Sequence, residues 1–319
     1  MEIKPELLEK LELLEKKYNA MGQDLMSYLD GLLYADYLTY WDYIHADTLL
    51  SLQNPKTGFP DEQIFIIYHQ ITELYFKLSL SEIRQVATNE KVDGAYLLSR
   101  VNRINNYFEN LVRSFDIMVD GMEPEQFLKF RMSLLPASGF QSAQYRMIEI
   151  CSTDFIRLVA KDHREELEKS NPSITQMFEH IYWKAGATEL ATGKKTLTLK
   201  QFEEKYSDDL IRLAEEFKLT NLWRIYSSLS AEEKSNTALI HAFKMLDVNV
   251  NVNWPLSHYK SAVRYLQKDP VDIAATGGTN WQKYLPPRFQ KRIFYPSLWN
   301  EQDIEDWGKA WVKREVFGL

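Results

Sequence analysis

The stretch DEQIFIIYHQITELYFKLSLSEI, residues Asp61–Ile83, decides the fold class of this chain. Asp61 and Glu62 place carboxylates at the positive end of a helix dipole, where acidic side chains are favoured. Apolar residues then recur every three or four positions, the period of an amphipathic helix. They are Ile64, Ile67, Ile71, Leu74, Leu78 and Ile83. The pattern predicts one long helix that runs to about Val86 with this face buried.

Most of the remaining chain shows the same helical spacing. Further helices are predicted over residues 5–20, from 23 onward, over 93–115, over 124–136, over 141–159, and over 200–228 and 231–247. Only 12 of 319 residues are glycine, which favours long helices over many tight turns. The alternating run VNVNVNW, Val248–Trp254, is typical of a strand, yet Trp254-Pro255 could equally lead into a helix. We predict an all-α fold in which residues 1–319 form a single large helical domain.

Composition and charge exclude several classes of protein. With 38 basic and 45 acidic side chains the net charge is −7, which disfavours binding to nucleic acid. The N-terminus lacks the apolar core of a signal peptide, and no run approaches the roughly 18 apolar residues of a membrane span. The single cysteine, Cys151, excludes an internal disulfide and thioether attachment of haem. We expect a cytoplasmic protein with no membrane or nucleic-acid partner.

His69 lies within the otherwise apolar run FIIYHQITELYF. On a helix it shares a face with Phe65 and with Glu73, each four residues away. One interpretation is a core histidine that hydrogen-bonds a carbonyl or Glu73. The other is a base or ligand in a pocket, with an aromatic ring beside it.

Arg131 and His258 are also in unusual settings. Arg131 lies in the apolar segment QFLKFRMSLL, either paired with an acidic side chain or placed to clamp a substrate carboxylate. His258 precedes the loop Thr276–Thr279, whose backbone N–H groups could bind an anion. The sequence contains no H-E-x-x-H zinc motif, no Glu-x-x-His pair and no G-x-S-x-G. The residues alone therefore predict a soluble helical protein without naming a reaction.

Two long segments carry a family resemblance. Asp61–Ile83 and EPEQFLKFRMSLLPASGFQSAQYRMIE, Glu123–Glu149, resemble the signature stretches of tryptophan 2,3-dioxygenases. LTYWDYIHADTLLSLQNP, Leu38–Pro55, is similar to the segment that precedes them in that family. Trp254-x-x-x-His258 and the ATGG run Ala275–Gly278 resemble its C-terminal half more loosely. Thr279-Asn280-Trp281 follows where the family usually continues S-S-G, a departure in the loop that covers the substrate.

The resemblance implies a helical homotetramer that binds haem b without a covalent link. It implies that His258 is the proximal iron ligand and that Ser138 lies close to the haem. His69 would be the catalytic distal histidine that hydrogen-bonds the indole N–H. Phe65 and Phe127 would line the pocket around the indole ring.

The resemblance also implies how an amino acid is held. Arg131 would clamp the substrate carboxylate, and Thr276 would hold its ammonium group. The N-terminal segment 1–55 would pack on a neighbouring subunit and reach into its pocket through Tyr40, Tyr43 and Ile44.

The implied reaction adds dioxygen across the indole C2–C3 bond of L-tryptophan and gives N-formylkynurenine. The altered loop after Gly278 favours a second hypothesis, a related haem enzyme that oxidises another indole or aromatic amino acid. A third hypothesis is a helical haem-binding protein without catalytic activity. In that case internal partners would satisfy His69 and Arg131.

Overall fold

The computed structural model describes residues 4–36, 38–134, 141–188, 194–266 and 291–309. Every regular element in these ranges is helical, and strand-like pairing is limited there to two isolated bridges, Val159 with Ile181 and Thr188 with Lys195. The predicted all-α fold is confirmed. Among the helices of these ranges, none combines the length and the apolarity that a membrane crossing needs.

Backbone contacts divide the chain into two units, residues 1–54 and 55–319. The first unit contains α1 (Pro5–Ala20), α2 (Leu25–Leu33), α3 (Tyr40–Tyr43) and α4 (Ala46–Leu50). Asp24 caps α2, since its carboxylate accepts hydrogen bonds from the backbone N–H groups of Met26 and Ser27. These four helices contain no buried residue. A single domain over residues 1–319, with residues 1–55 on a neighbouring subunit, stays a prediction.

The second unit begins with the long helix that the sequence predicted, α5 (Asp61–Thr88). The following helices are α6 (Gly94–Ser114), α7 (Asp116–Asp120), α8 (Pro124–Phe130), α9 (Ala143–Ser152), α10 (Lys161–Ser170), α11 (Ile174–Glu179), α12 (Tyr182–Gly186), α13 (Leu197–Glu216), α14 (Leu222–Ser228), α15 (Ala231–Lys234), α16 (Thr237–Val248), α17 (Trp254–Leu266) and α18 (Glu301–Glu305). Short 3₁₀ turns lie at Arg131–Leu134, Phe155–Leu158 and Pro296–Leu298. The predicted helix over 141–159 ends at Ser152, before an extended Thr153.

The buried face of α5 differs from the predicted one. Four of the six apolar residues assigned to it are substantially exposed: Ile67 (38%), Ile71 (37%), Leu74 (48%) and Leu78 (46%). Ile83 is buried as predicted, and the rest of the buried face carries Tyr68 and Phe76, interspersed with Thr72 and Ser79. These two hydroxyls donate to the carbonyl four residues earlier, so their burial leaves no unsatisfied group.

The alternating run after α16 forms a helix and not a strand. Residues Asn249–Asn253 make a π-helical turn that joins α16 directly to α17. In this turn the backbone N–H of Trp254 donates to the carbonyl of Asn249, five residues earlier. Pro255 has no N–H for the next such bond, and the carbonyl of Val250 accepts from the Tyr145 hydroxyl instead, at 2.7 Å. The helix therefore continues through the π turn and past Pro255 without a break.

Candidate active site

The imidazole of His69 is held in one tautomer on α5. Its Nδ1 lies 2.7 Å from the carbonyl oxygen of Phe65. A carbonyl can only accept, so Nδ1 carries the proton and Nε2 keeps the lone pair. The Phe65 ring lies 4.1 Å from the imidazole, centroid to centroid. Burial lowers the pKa of His69, which keeps it neutral at pH 7.

His258 on α17 is held in the same way. Its Nδ1 lies 3.1 Å from the carbonyl oxygen of Trp254, again four residues earlier, so Nε2 again keeps the lone pair. The rings of Phe115 and Trp254 lie 4.6 Å and 4.4 Å from the imidazole. Burial, with a smaller contribution from His69, lowers the pKa of His258 to about 4. The ring of Phe115 also lies 5.6 Å from that of Tyr68, the residue before His69, so Phe115 lies between the two histidine-bearing helices α5 and α17.

An aromatic cluster links the helices that carry these histidines. The ring of Phe65 lies 5.9 Å from that of Phe130 and 6.5 Å from that of Phe127. Phe127 in turn lies 4.6 Å from Tyr265 on α17. Helices α5, α8 and α17 therefore converge on an apolar, aromatic region next to His69.

Arg131 follows α8 at the edge of this cluster. Its neighbour Phe130 is fully buried and fixes the end of the helix. Arg131 itself is half-buried, with its Nε atom inside the protein. Burial lowers the pKa of Arg131 from its very high ordinary value, and guanidinium groups stay charged in proteins. The arrangement thus places a cation with a planar fork of donors beside an apolar surface.

The donor set fits a haem. A neutral imidazole with a lone pair on Nε2 is a common axial ligand of haem iron. A ligating histidine usually donates its Nδ1–H to an acceptor such as a backbone carbonyl. His258 offers both features on one side, and His69 offers a second neutral imidazole. By contrast, Cys151 is buried in the core and burial raises the pKa of its thiol well above the ordinary value, so it offers no thiolate.

Comparison with known proteins finds sequence similarity to one group of enzymes. A sequence model described as tryptophan 2,3-dioxygenase matches residues 31–179. The tryptophan 2,3-dioxygenase of Bradyrhizobium diazoefficiens is 28% identical over 287 residues, covering 84% of this chain and 92% of that protein. The tryptophan 2,3-dioxygenase of Bacillus thuringiensis subsp. konkukian is 28% identical, covering 82% of this chain and 91% of that protein. Over most of its length, the chain is similar to tryptophan 2,3-dioxygenases.

A shorter match to the same family is closer in sequence. The tryptophan 2,3-dioxygenase of Ruegeria sp. strain TM1040 is 36% identical over 150 residues, which is 46% of this chain and 48% of that protein. The matched range 31–179 contains Phe65, His69, Phe127 and Arg131, while His258 lies beyond it. The 287-residue match is longer than this range and therefore extends past it.

Several residue roles that the family resemblance implied stay predictions. Ser138, Thr276 and the surrounding ATGG loop fall outside the described residues, so their roles stay predictions. Tyr40, Tyr43 and Ile44 belong to the first unit, where they are 74%, 74% and 40% exposed. Their insertion into a neighbouring subunit also stays a prediction.

Sequence analysis did not single out Phe115 or Tyr265 as site residues. Tyr265 follows His258 by two helical turns on one face, so helical spacing alone contained a signal for it. Phe115 comes from the end of α6, far from α17 in the chain, and contacts both Trp254 and His258. No local pattern connects these two segments.

Proposed function

We propose that this protein is a haem-dependent dioxygenase that adds O₂ across the indole C2–C3 bond of L-tryptophan to give N-formylkynurenine. The observation that carries the proposal is a pair of half-buried, neutral imidazoles, one beside an aromatic cluster and a guanidinium and the other linked to the same helix α5 through Phe115. Each imidazole is fixed through Nδ1 and offers Nε2. Similarity to tryptophan 2,3-dioxygenases supports the same activity.

His258 would hold haem b through Nε2, and the haem supplies the binding and activation of dioxygen. The Nδ1–H bond to the Trp254 carbonyl orients the ring and makes Nε2 a better donor to iron. Because burial lowers the pKa of His258 to about 4, protons do not compete with iron for this nitrogen at neutral pH.

His69 would bind the indole ring by accepting a hydrogen bond from its N–H at Nε2. Only the neutral tautomer can accept there, and burial together with the Phe65 carbonyl maintains that tautomer. Phe65 packs against His69 and offers a flat apolar surface to the ring, with Phe127 farther along the same cluster. These aromatic side chains also exclude water from the reacting bond.

Arg131 would clamp the substrate carboxylate with two parallel hydrogen bonds, a geometry that suits its fork of donors. Thr276 would hold the ammonium group, and Ser138 would lie near the haem. Fixing both charged ends of the amino acid orients the indole, and such positioning is itself a large catalytic term. Contacts to both charged groups would favour an α-amino acid over a simple indole as the substrate.

We further propose that the protein works as a cytoplasmic homotetramer. The first unit supports this, since its four helices bury no residue and leave large apolar side chains exposed, Tyr40 and Tyr43 among them. Such a surface needs a partner, and a neighbouring subunit would supply it. Tyr40, Tyr43 and Ile44 would then complete the neighbour's pocket.

The residues after Gly278 favour one alternative substrate class. Thr279-Asn280-Trp281 replaces the S-S-G of the family in the loop that covers the substrate. A different loop would admit another indole or aromatic amino acid, while His258, His69 and Arg131 keep the roles given above.

Product identification tests the proposed reaction. The haem-loaded protein is reduced without oxygen, mixed with L-tryptophan and ¹⁸O₂, and the product is analysed by mass spectrometry. We expect N-formylkynurenine that contains two ¹⁸O atoms. A product with a single labelled oxygen, or no product from L-tryptophan while another indole is consumed, would favour the alternative substrate class. Inactivity with every indole, despite bound ferrous haem, would contradict a catalytic role.

A further inference from the structure

Asp247 at the C-terminal end of α16 is a fully buried carboxylate that the proposed reaction does not use. Its Oδ1 accepts from Asn251 Nδ2 at 2.8 Å and from the Phe294 backbone N–H at 2.9 Å. Its Oδ2 accepts from the Tyr295 backbone N–H at 3.2 Å and from Trp299 Nε1 at 3.1 Å. Burial raises the pKa of Asp247 to about 6, so the group is ionised at neutral pH and both oxygens accept.

These four bonds join two segments that are distant in the sequence. Asn251 lies inside the π turn, whereas Phe294, Tyr295 and Trp299 belong to residues 291–299. All four donors are neutral N–H groups that cannot accept in return. Loss of the carboxylate would therefore leave two buried backbone N–H groups without their acceptor, in a place where water cannot replace it.

The π turn determines the direction in which His258 points. Each residue of an α-helix rotates the chain by about 100°, so a change of one residue in hydrogen-bond register turns every later side chain by that amount. His258 is the fifth residue of α17, which begins where the turn ends. If residues 249–253 relaxed to the α register, the imidazole would rotate away from the region that it shares with His69.

Further contacts hold the turn on two sides. An apolar cluster of Val252, Leu256, Ile293 and Trp307 packs the C-terminal segment against the helix. On another side, Asn253 donates to Asn249, which donates to Asn105 of α6, at 2.8 Å and 3.2 Å. Asp247 is the charged member of this network, and directional bonds to a charged acceptor specify geometry more strictly than apolar packing does.

We propose that Asp247 is a positioning residue for His258. By fixing the π turn and residues 291–299 together, it holds α17 in the register that directs the His258 imidazole. This inference rests on the proposed function, since His258 is taken as the axial ligand.

The first test measures hydrogen exchange in the full-length, haem-free protein. Asp247→Asn keeps the shape of the side chain but turns an amide group toward Phe294 and Tyr295. We expect amide exchange to accelerate at least about tenfold in peptides covering residues 248–258 and 291–299. The matched control is Glu82→Gln, another buried carboxylate, which pairs with Arg100 and Arg103 between α5 and α6. Unchanged exchange in Asp247→Asn, or equal acceleration in both variants, would overturn the inference.

Two further variants keep this test decisive if Asp247→Asn fails to fold. Trp299→Phe removes only one donor to Asp247, and we expect a smaller acceleration in the same two peptides. The double variant Asp247→Asn/Asn251→Asp swaps the two side chains. It keeps the negative charge and the hydrogen bond between residues 247 and 251, but it presents an amide to residues 294 and 295. We expect it to behave like Asp247→Asn. Wild-type exchange in either variant would contradict the role of the contact with residues 291–299.

The second test measures the iron–histidine bond in the haem-loaded, ferrous protein. Resonance Raman spectra should show an iron–histidine stretching band that shifts or broadens in Asp247→Asn, with haem loss about tenfold faster. Glu82→Gln should keep the wild-type band. Absence of the band in the wild type would contradict the proposed function, and with it the inference. A wild-type band that Asp247→Asn leaves unchanged would overturn only the inference.

Discussion

The helices that carry His69 and His258 fix the two imidazoles through the same kind of hydrogen bond. The two helices differ in the contacts that hold them in the protein. His69 and His258 each donate Nδ1–H to the carbonyl four residues earlier. Helix α5 is regular throughout and buries Phe76 and Ile83 in the main apolar core. The segment before His258 contains a π turn, and buried amides and the Asp247 carboxylate fix it.

This difference teaches how strictly each side of the site is specified. Apolar packing tolerates small shifts as long as volume is kept, whereas a polar network needs every bond in place. The surroundings of His69 and Arg131 should therefore tolerate small shifts, whereas the segment before His258 has one defined geometry. Under the proposed roles, His69 and Arg131 form the distal, substrate side and His258 forms the proximal, haem side. Changes on the proximal side should then affect haem and stability, and changes on the distal side should affect substrate selection.

Acid should destabilise the haem-free protein through His258. The pKa of this group is about 4 when folded and 6.5 when unfolded, so between these values the unfolded state binds more protons. The free energy of unfolding should fall by about 3 kcal/mol as the pH decreases through this range. Asp247 acts in the opposite direction, because its folded pKa of about 6 lies above its ordinary value.

The measurement is therefore a difference between two proteins. Urea unfolding is followed at pH 7.5 and at pH 4.5 for the wild type and for His258→Phe. We expect the wild type to lose more stability than the variant, by most of the about 3 kcal/mol. Parallel losses would show that His258 is not held neutral by burial.

On the distal side, Arg131→Ala should reduce activity toward amino acids far more than toward simple indoles. Loss of a charge-assisted bidentate contact costs about 1.5–3 kcal/mol, which corresponds to an about 10- to 150-fold lower kcat/KM for L-tryptophan. 3-Methylindole lacks the carboxylate and should be affected much less. Haem content, measured by absorption, should stay at the wild-type level. Equal losses on both substrates would contradict a carboxylate clamp.

The smallest expected effect compares two tyrosine hydroxyls. Tyr145→Phe removes the donor to the Val250 carbonyl, which Pro255 cannot replace, and should cost about 1–2 kcal/mol in urea unfolding. Tyr68→Phe, on α5, should cost less, because the Leu111 carbonyl that it leaves still accepts from Ser114 at 3.2 Å. A larger loss of unfolding free energy in Tyr68→Phe than in Tyr145→Phe would contradict the view that the segment before His258 depends more on its polar contacts than α5 does.

The sequence predicted the distal side better than the proximal side. The extent of α5 and the pairing of Phe65 with His69 followed from helical spacing. The buried face of α5 did not follow, because Thr72 and Ser79 satisfy their own hydroxyls and so can replace apolar residues inside the protein. Side-chain type alone cannot reveal such local bonds.

The proximal side depended on contacts that no local pattern contains. The alternation in VNVNVNW fits a strand until the partners of its asparagines are known, and Asn105 and Asp247 are among those partners. The placement of His258 opposite His69 is implied by the family resemblance and not by spacing, and it stays a prediction. Phe115 reaches His258 only because α6 crosses beside α17.

The absorption spectrum of the ferrous, haem-loaded protein tests the central claim most directly. In His258→Ala we expect the spectrum of a histidine-ligated haem to disappear and added imidazole to restore it. In His69→Ala that spectrum should persist while N-formylkynurenine formation falls. A histidine-ligated spectrum that survives in His258→Ala, or that disappears in His69→Ala, would contradict the assignment of the two imidazoles.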